Sequence, residues 1–189
     1  MICWLNPFSG ISGDMLLGAL LDLGAPLDGV RAAVAATGLE GWGLDAEVVT
    51  RGALSATRAV VTVHDPVTGH GPTERRAAEL LADVAGSPLA VRAVRAIAEV
   101  EARIHGVDPA EVHLHEIGGL DTVVDTVGVA AALDLLGVTS VHCAPLALGS
   151  GTVATRHGVL PLPAPATAAL LAAAGGPPAR GGGGGAGPP

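Results

Sequence analysis

Lysine is absent from this 189-residue chain, and all ten basic residues are arginine. That excludes Schiff-base lysine chemistry and a Walker-type phosphate loop, whose lysine reaches the phosphates. Tyrosine is also absent, and one Phe and two Trp bring aromatics to only 2%. Any core must therefore be aliphatic. Cys3 and Cys143 lie far apart and fit no zinc or redox spacing, so no disulfide framework is indicated and a reducing compartment suits the chain. His142-Cys143 ends an expected strand, so Cys143 is expected in the core rather than as a ligand. No apolar run reaches the roughly 18 residues that span a bilayer. The start, MICWLNPFSG, lacks the basic region and long apolar stretch of a signal peptide. These absences predict a cytoplasmic protein. Eighteen acidic residues give a net charge of −8, which repels phosphate backbones and speaks against nucleic-acid binding.

What remains is 49% hydrophobic, mostly Ala, Val and Leu. Residues 175–189 read GGPPARGGGGGAGPP and cannot bury a core, so they are expected to be a disordered tail after a folded domain of residues 1–174. Residues 2–5 read as a short buried strand. Ser12 or Asp14 can cap a helix through 23, closed by Gly24, and a second helix is expected over 27–36. Residues 44–51 and 55–64 read as strands joined by a turn at Gly52, followed by a loop over 65–71. Thr73 caps a helix to 84, and Pro88 opens a longer one to 105 with Val94, Ile97, Val100 and Ile104 as its buried stripe. Residues 112–117 read as either a strand or an extended loop. Residues 121–136 are apolar almost all round and predict a buried helix. A strand over 138–143, a glycine-rich extended stretch or hairpin over 146–161 and a helix over 164–174 complete the pattern. Strands alternating with helices predict an α/β or α+β fold with a mixed sheet and packed helices.

Chemistry concentrates in Glu111-Val-His-Leu-His-Glu116. In an extended backbone His113 and His115 point to one face, and with Glu116 they make a natural site for nickel, zinc or copper. The bland alternative is a pair of surface histidines. Asp121 and Asp125 follow at i and i+4 on one helix face. Helix-dipole stabilisation accounts for Asp121 but less well for Asp125, whose buried carboxylate needs a partner. A metal, or histidines held in place by the two carboxylates, would explain both. Ser9-Gly10-Ile11-Ser12-Gly13 leads into a helix N-terminus and could bind an anion through backbone N–H groups, although Asp14 in the first turn suits a cation better. Arg156 can grip a phosphate or carboxylate, and His64, His70 and His157 are further possible ligands.

PFSGISGDMLLGALLDLG (7–24), EVEARIHGVDPAEVHLHEIGGLDTVVDTVGVAAALDLLGV (99–138) and APLALGSGTVATRHGVLPLPAPATAALL (144–171) together resemble the LarC-type nickel insertion proteins. The resemblance implies a nickel chelatase, classed as a lyase. It would insert Ni(II) into pyridinium-3,5-bisthiocarboxylic acid mononucleotide to form the nickel-pincer cofactor, with the lactate racemase apoprotein as recipient. It further implies that this chain is the N-terminal part of a longer protein. CTP would bind only in the C-terminal half, which in some members is joined by frameshifting. Under this resemblance His113, His115, Glu116, Asp121 and Asp125 are the metal candidates. Ser9, Gly10, Ser12, Gly13 and Arg156 are candidates for the substrate's phosphate or carboxylates. Two readings of another class stay open: a non-catalytic nickel-binding module or carrier, and a metal-dependent hydrolase suggested by the His and Asp clusters alone.

Overall fold

The computed structural model describes residues 1–64, 75–114, 117–155 and 158–175. In chain order its elements are β1 (Ile2–Leu5), α1 (Gly13–Asp22), α2 (Leu27–Ala35), β2 (Trp42–Arg51), β3 (Leu54–Val63), β4 (Arg75–Arg76), α3 (Ala77–Asp83), α4 (Pro88–His105), β5 (His113–Leu114), α5 (Leu120–Leu135), β6 (Ser140–Cys143), β7 (Thr152–Thr155), β8 (Gly158–Pro161) and α6 (Pro165–Ala173). This is the expected α/β class, with parallel and antiparallel pairing both present. The described strands form four two-stranded pairs. The chain divides into two compact units: Met1 with residues 11–139, and residues 2–10 with 140 onward.

In the first unit, β2 and β3 form a ten-residue-a-side antiparallel hairpin that pairs Arg51 with Leu54 across Gly52. Gly52 has φ +61°, the left-handed conformation that a tight turn draws from glycine. Helix α1 lies close against β3. A Cβ added at Gly18 would sit 2.6 Å from the Thr57 carbonyl oxygen, so only a residue without a side chain permits this approach. Helix α5 packs against α1, α2 and α4. Its buried residues include Val123, Val124, Val127 and Leu133, which meets the expectation of a helix covered on most sides. Leu17, Leu20, Val30, Val34, Leu80 and Val94 complete an aliphatic core with no buried polar or charged residue among the described ones.

Polar links hold the periphery of this unit. Arg31 donates from Nε to the Leu44 carbonyl at 2.8 Å and from its guanidinium to Asp28 and Asp45, tying α2 to β2. Arg75 pairs with Asp83, each side chain only 16% exposed. Asp83 Oδ2 has no hydrogen-bond-aligned donor, so charge attraction carries that contact. Helix α4 runs from Pro88 to His105 and closes on Gly106 at φ +68°, as the proline and glycine positions predict.

The second unit holds the parallel pair β1–β6, the antiparallel hairpin β7–β8 and helix α6. The Leu162–Pro163 peptide bond is cis.

Four sequence expectations are corrected. Strand β1 is not buried: Ile2 and Trp4 are exposed and Cys3 alone is covered. Cys143 is exposed rather than in the core. Ile104 is 46% exposed, and small residues (Ala90, Ala98 and Ala102) join Val94 and Val100 on the buried face of α4. Helix α3 starts at Ala77, because Arg75 and Arg76 pair antiparallel with Leu114 and His113. The proposed Thr73 cap and the 65–71 loop lie outside the described residues, as does the tail beyond Gly175.

Candidate metal centre

Helix α1 begins at Gly13, with Ser12 in the extended N-cap conformation. The Ser12 hydroxyl makes no cap bond to the backbone and donates instead to the Asp14 carboxylate. Asp14 therefore places negative charge in the first turn of α1, where the helix dipole favours it. Helix α5 starts at Leu120 with Asp121 in its own first turn, where Asp121 Oδ1 accepts from the Thr122 N–H at 3.0 Å.

The two helix starts meet at a point set by a glycine. A Cβ built on Gly13 would lie 2.4 Å from Asp125 Oδ2 and 2.7 Å from its Cγ, so the Asp125 carboxylate occupies space that any other residue at 13 would fill. The Asp14 backbone N–H donates to Asp125. The other carboxylate oxygen, Oδ1, is buried with no hydrogen-bond partner. Burial, then the charges of Asp14 and Asp121, push the Asp125 carboxyl up from 3.8 to about 6, and the Asp14 N–H only partly offsets this. A carboxylate left short of donors beside two more carboxylates is an electrostatic arrangement that a cation relieves.

The sequence paired Asp121 with Asp125, and the structure adds Asp14. The Gly-Asp dipeptide at 13–14 was the available signal, but its partner could not be read locally. His113 lies in the two-residue strand β5, exposed, with Leu114 beside it buried. His115, Glu116, Arg156, His70 and His157 lie outside the described residues. Among the described residues, no group of three or more His, Cys, Asp or Glu side chains is arranged to hold a metal. The expected anion loop is divided: Ser9 and Gly10 belong to the second unit, and Ser12 and Gly13 to the first. A cleft of about 380 Å³ in the first unit is lined by residues of α2, α3 and α5 and of the turns after α2 and α3, Thr37, Asp83 and Asp134 among them, and shares no residue with the carboxylate cluster. No described helix is long and apolar enough to cross a membrane.

In this α/β chain the carboxylates of Asp14, Asp121 and Asp125 gather at two helix starts. Residues 3–183 match the family described as nickel insertion protein, and the chain belongs to that family. It is 44% identical over 176 residues to a protein of Roseiflexus castenholzii named for nickel insertion, covering 89% of this chain and 43% of that relative. It is 45% identical over 171 residues to the pyridinium-3,5-bisthiocarboxylic acid mononucleotide nickel insertion protein of a Nocardioides species, covering 88% of this chain and 43% of the relative. A Pelobacter propionicus protein named for nickel insertion is 47% identical over 172 residues, covering 86% and 43%. The chain thus spans under half the length of these curated relatives. No solved structure matches it.

Proposed function

We propose that this chain captures Ni(II), as substrate, for insertion into pyridinium-3,5-bisthiocarboxylic acid mononucleotide in the cytoplasm. The product would be the nickel-pincer cofactor of lactate racemase. The observation that carries the reading is the donor-poor Asp125 carboxylate, wedged against Gly13 and flanked by Asp14 and Asp121, in a chain of the nickel insertion family. In this reading Asp125 and its neighbours supply oxygen ligands, while His113, His115 and Glu116 supply the rest of the set. Ser12, Gly13, Ser9, Gly10 and Arg156 remain the candidates for the nucleotide's phosphate and carboxylates. Nickel held by carboxylate and imidazole passes downhill to the two thiocarboxylate sulfurs, which are softer and bind it more strongly.

The chemistry is that of a chelatase of the lyase class. It is completed by a C-terminal half, joined by frameshifting where the reading frame requires it, and CTP belongs to that half. A second reading is a nickel-binding module that delivers metal without completing the insertion. Isothermal titration of the chain with nickel, with and without the thiolated nucleotide, tests both. One nickel per chain, lost in Asp125→Asn and in the double variant His113→Ala with His115→Ala, supports the site. Unchanged stoichiometry in those variants overturns it. Nickel bound but never transferred to the nucleotide selects the carrier.

A further inference from the structure

The second unit has the composition of an interior and the exposure of a surface. Residues 2–10 and 140–175 contain no acidic residue, and Arg156 is their only full charge. All eighteen acidic residues of the chain fall in the first unit. Yet of the described residues in the second unit only Cys3 and Pro7 are buried. Helix α6, PATAALLAA, is apolar but for Thr167 and buries none of its residues. A helix of that composition is ordinarily covered all round.

The β1–β6 pair shows the same imbalance. Its register sets Ile2 beside Ser140 and Trp4 beside His142, so these four side chains share one face. On that face Ile2 and Trp4 are each 67% exposed, and the Trp4 ring stacks on His142 with centroids 6.1 Å apart. Phe8, just beyond β1, is 78% exposed. Parallel pairs in α/β proteins are covered on both faces, and a two-stranded parallel pair has little stability alone.

We infer that the open face of β1–β6, together with α6, is an obligate docking surface for the polypeptide that the curated relatives carry outside the matched segment. That segment is 43% of the Roseiflexus and Nocardioides proteins, so more than half of each relative lies outside it. Permanent interfaces resemble a domain core cut in half, apolar and depleted of charge, and the second unit has that character. A surface that binds membranes would carry a rim of basic residues, and the second unit has only Arg156 and Arg180 in its sequence. The inference rests on the proposed function only in treating the relatives' remaining length as a functional partner. It needs no nickel chemistry.

The test uses the full chain and, expressed separately, the part of the Nocardioides relative that lies outside the match. Analytical ultracentrifugation is expected to show a one-to-one complex. Hydrogen exchange should slow on complex formation in residues 2–5, 140–143 and 165–173 of this chain. Trp4→Ala should weaken binding at least about 30-fold, as truncation of a central aromatic anchor does. Val48→Glu, on an exposed position of β2 in the first unit, should leave binding unchanged. Thermal unfolding of each variant confirms its fold, and the exchange pattern of the unmutated chain is independent of any variant. The inference is overturned by absence of a complex, by protection confined to the first unit, by self-association of the chain through these residues, or by binding to neutral or anionic vesicles in place of the polypeptide. Because none of these readouts involves nickel, a failure here is separable from a failure of the metal site.

Discussion

Replacing Asp125 by Asn should stabilise the metal-free protein, and by an amount that depends on pH. The side chain keeps its shape and still accepts the Asp14 N–H, but loses the charge that burial and the Asp14 and Asp121 carboxylates oppose. An unfolded Asp ionises near 3.8, and the folded Asp125 near 6. Below about pH 4 the carboxyl is neutral in both states and folding carries no ionisation cost. Between about pH 4 and 6 the unfolded chain releases its proton while the folded one retains it, so wild-type stability falls as pH rises. Above about pH 6 the cost is fully present. Taken at face value it reaches about 3 kcal/mol. Asp125 is only part-buried, and solvent screening brings the figure to about 1–2 kcal/mol. The variant should therefore melt about 3–6 °C higher than wild type at pH 8, and at nearly the same temperature at pH 4. Circular dichroism melts in chelator-treated buffer measure this. A gain of equal size at both pH values, or a loss at pH 8, would refute the electrostatic account. Adding nickel should reverse the order: at a hundredfold excess over Kd the wild type gains about 2.7 kcal/mol that the variant lacks.

Further outcomes follow from the same geometry. Gly13→Ala places a methyl group on the Asp125 carboxylate and should cost about 1–3 kcal/mol in urea unfolding while weakening nickel binding, whereas a fully stable, nickel-binding variant would contradict the contact. Arg75→Ala leaves Asp83 largely buried without its counter-charge and should destabilise by about 3 kcal/mol, with Arg75 and Asp83 non-additive in a double-mutant cycle. Leu17→Ala empties a fully buried site between α1 and α5 and should cost about 2–5 kcal/mol. Nickel affinity measured by titration should fall steeply below about pH 6, as Asp125 takes up a proton, and an affinity flat down to pH 5 would exclude it as a ligand.

Much of the fold was legible because local physics determined it. Pro88 and Gly106 bracket α4, Gly52 turns the β2–β3 hairpin, and the nearly uninterrupted apolar run of α5 predicts its burial. What could not be read depended on partners distant in sequence. Nothing near Arg75 and Arg76 announces a strand, because the pairing residues are His113 and Leu114. Ile104 has the right period for the core stripe but sits in the last turn of α4, where covering residues run out, while Ala98 and Ala102 are buried. Strand β1 was identified from its apolar letters, but those letters do not reveal that its second face lacks a covering layer. At the candidate site, the i, i+4 spacing of Asp121 and Asp125 was visible along the helix. The arrival of Asp14 was not, since it depends on how α1 meets α5. The open choice between surface histidines and ligands at 113 and 115 belongs to the same class, since only tertiary placement decides it.

The wedge of the Asp125 carboxylate into the space left by Gly13 has a temporal consequence. The two halves of that contact emerge at opposite ends of the first unit during synthesis, so a nascent chain presents isolated aspartates and nothing more. The grouping of Asp125 with Gly13 and Asp14 forms only when the late helix has settled on the early one.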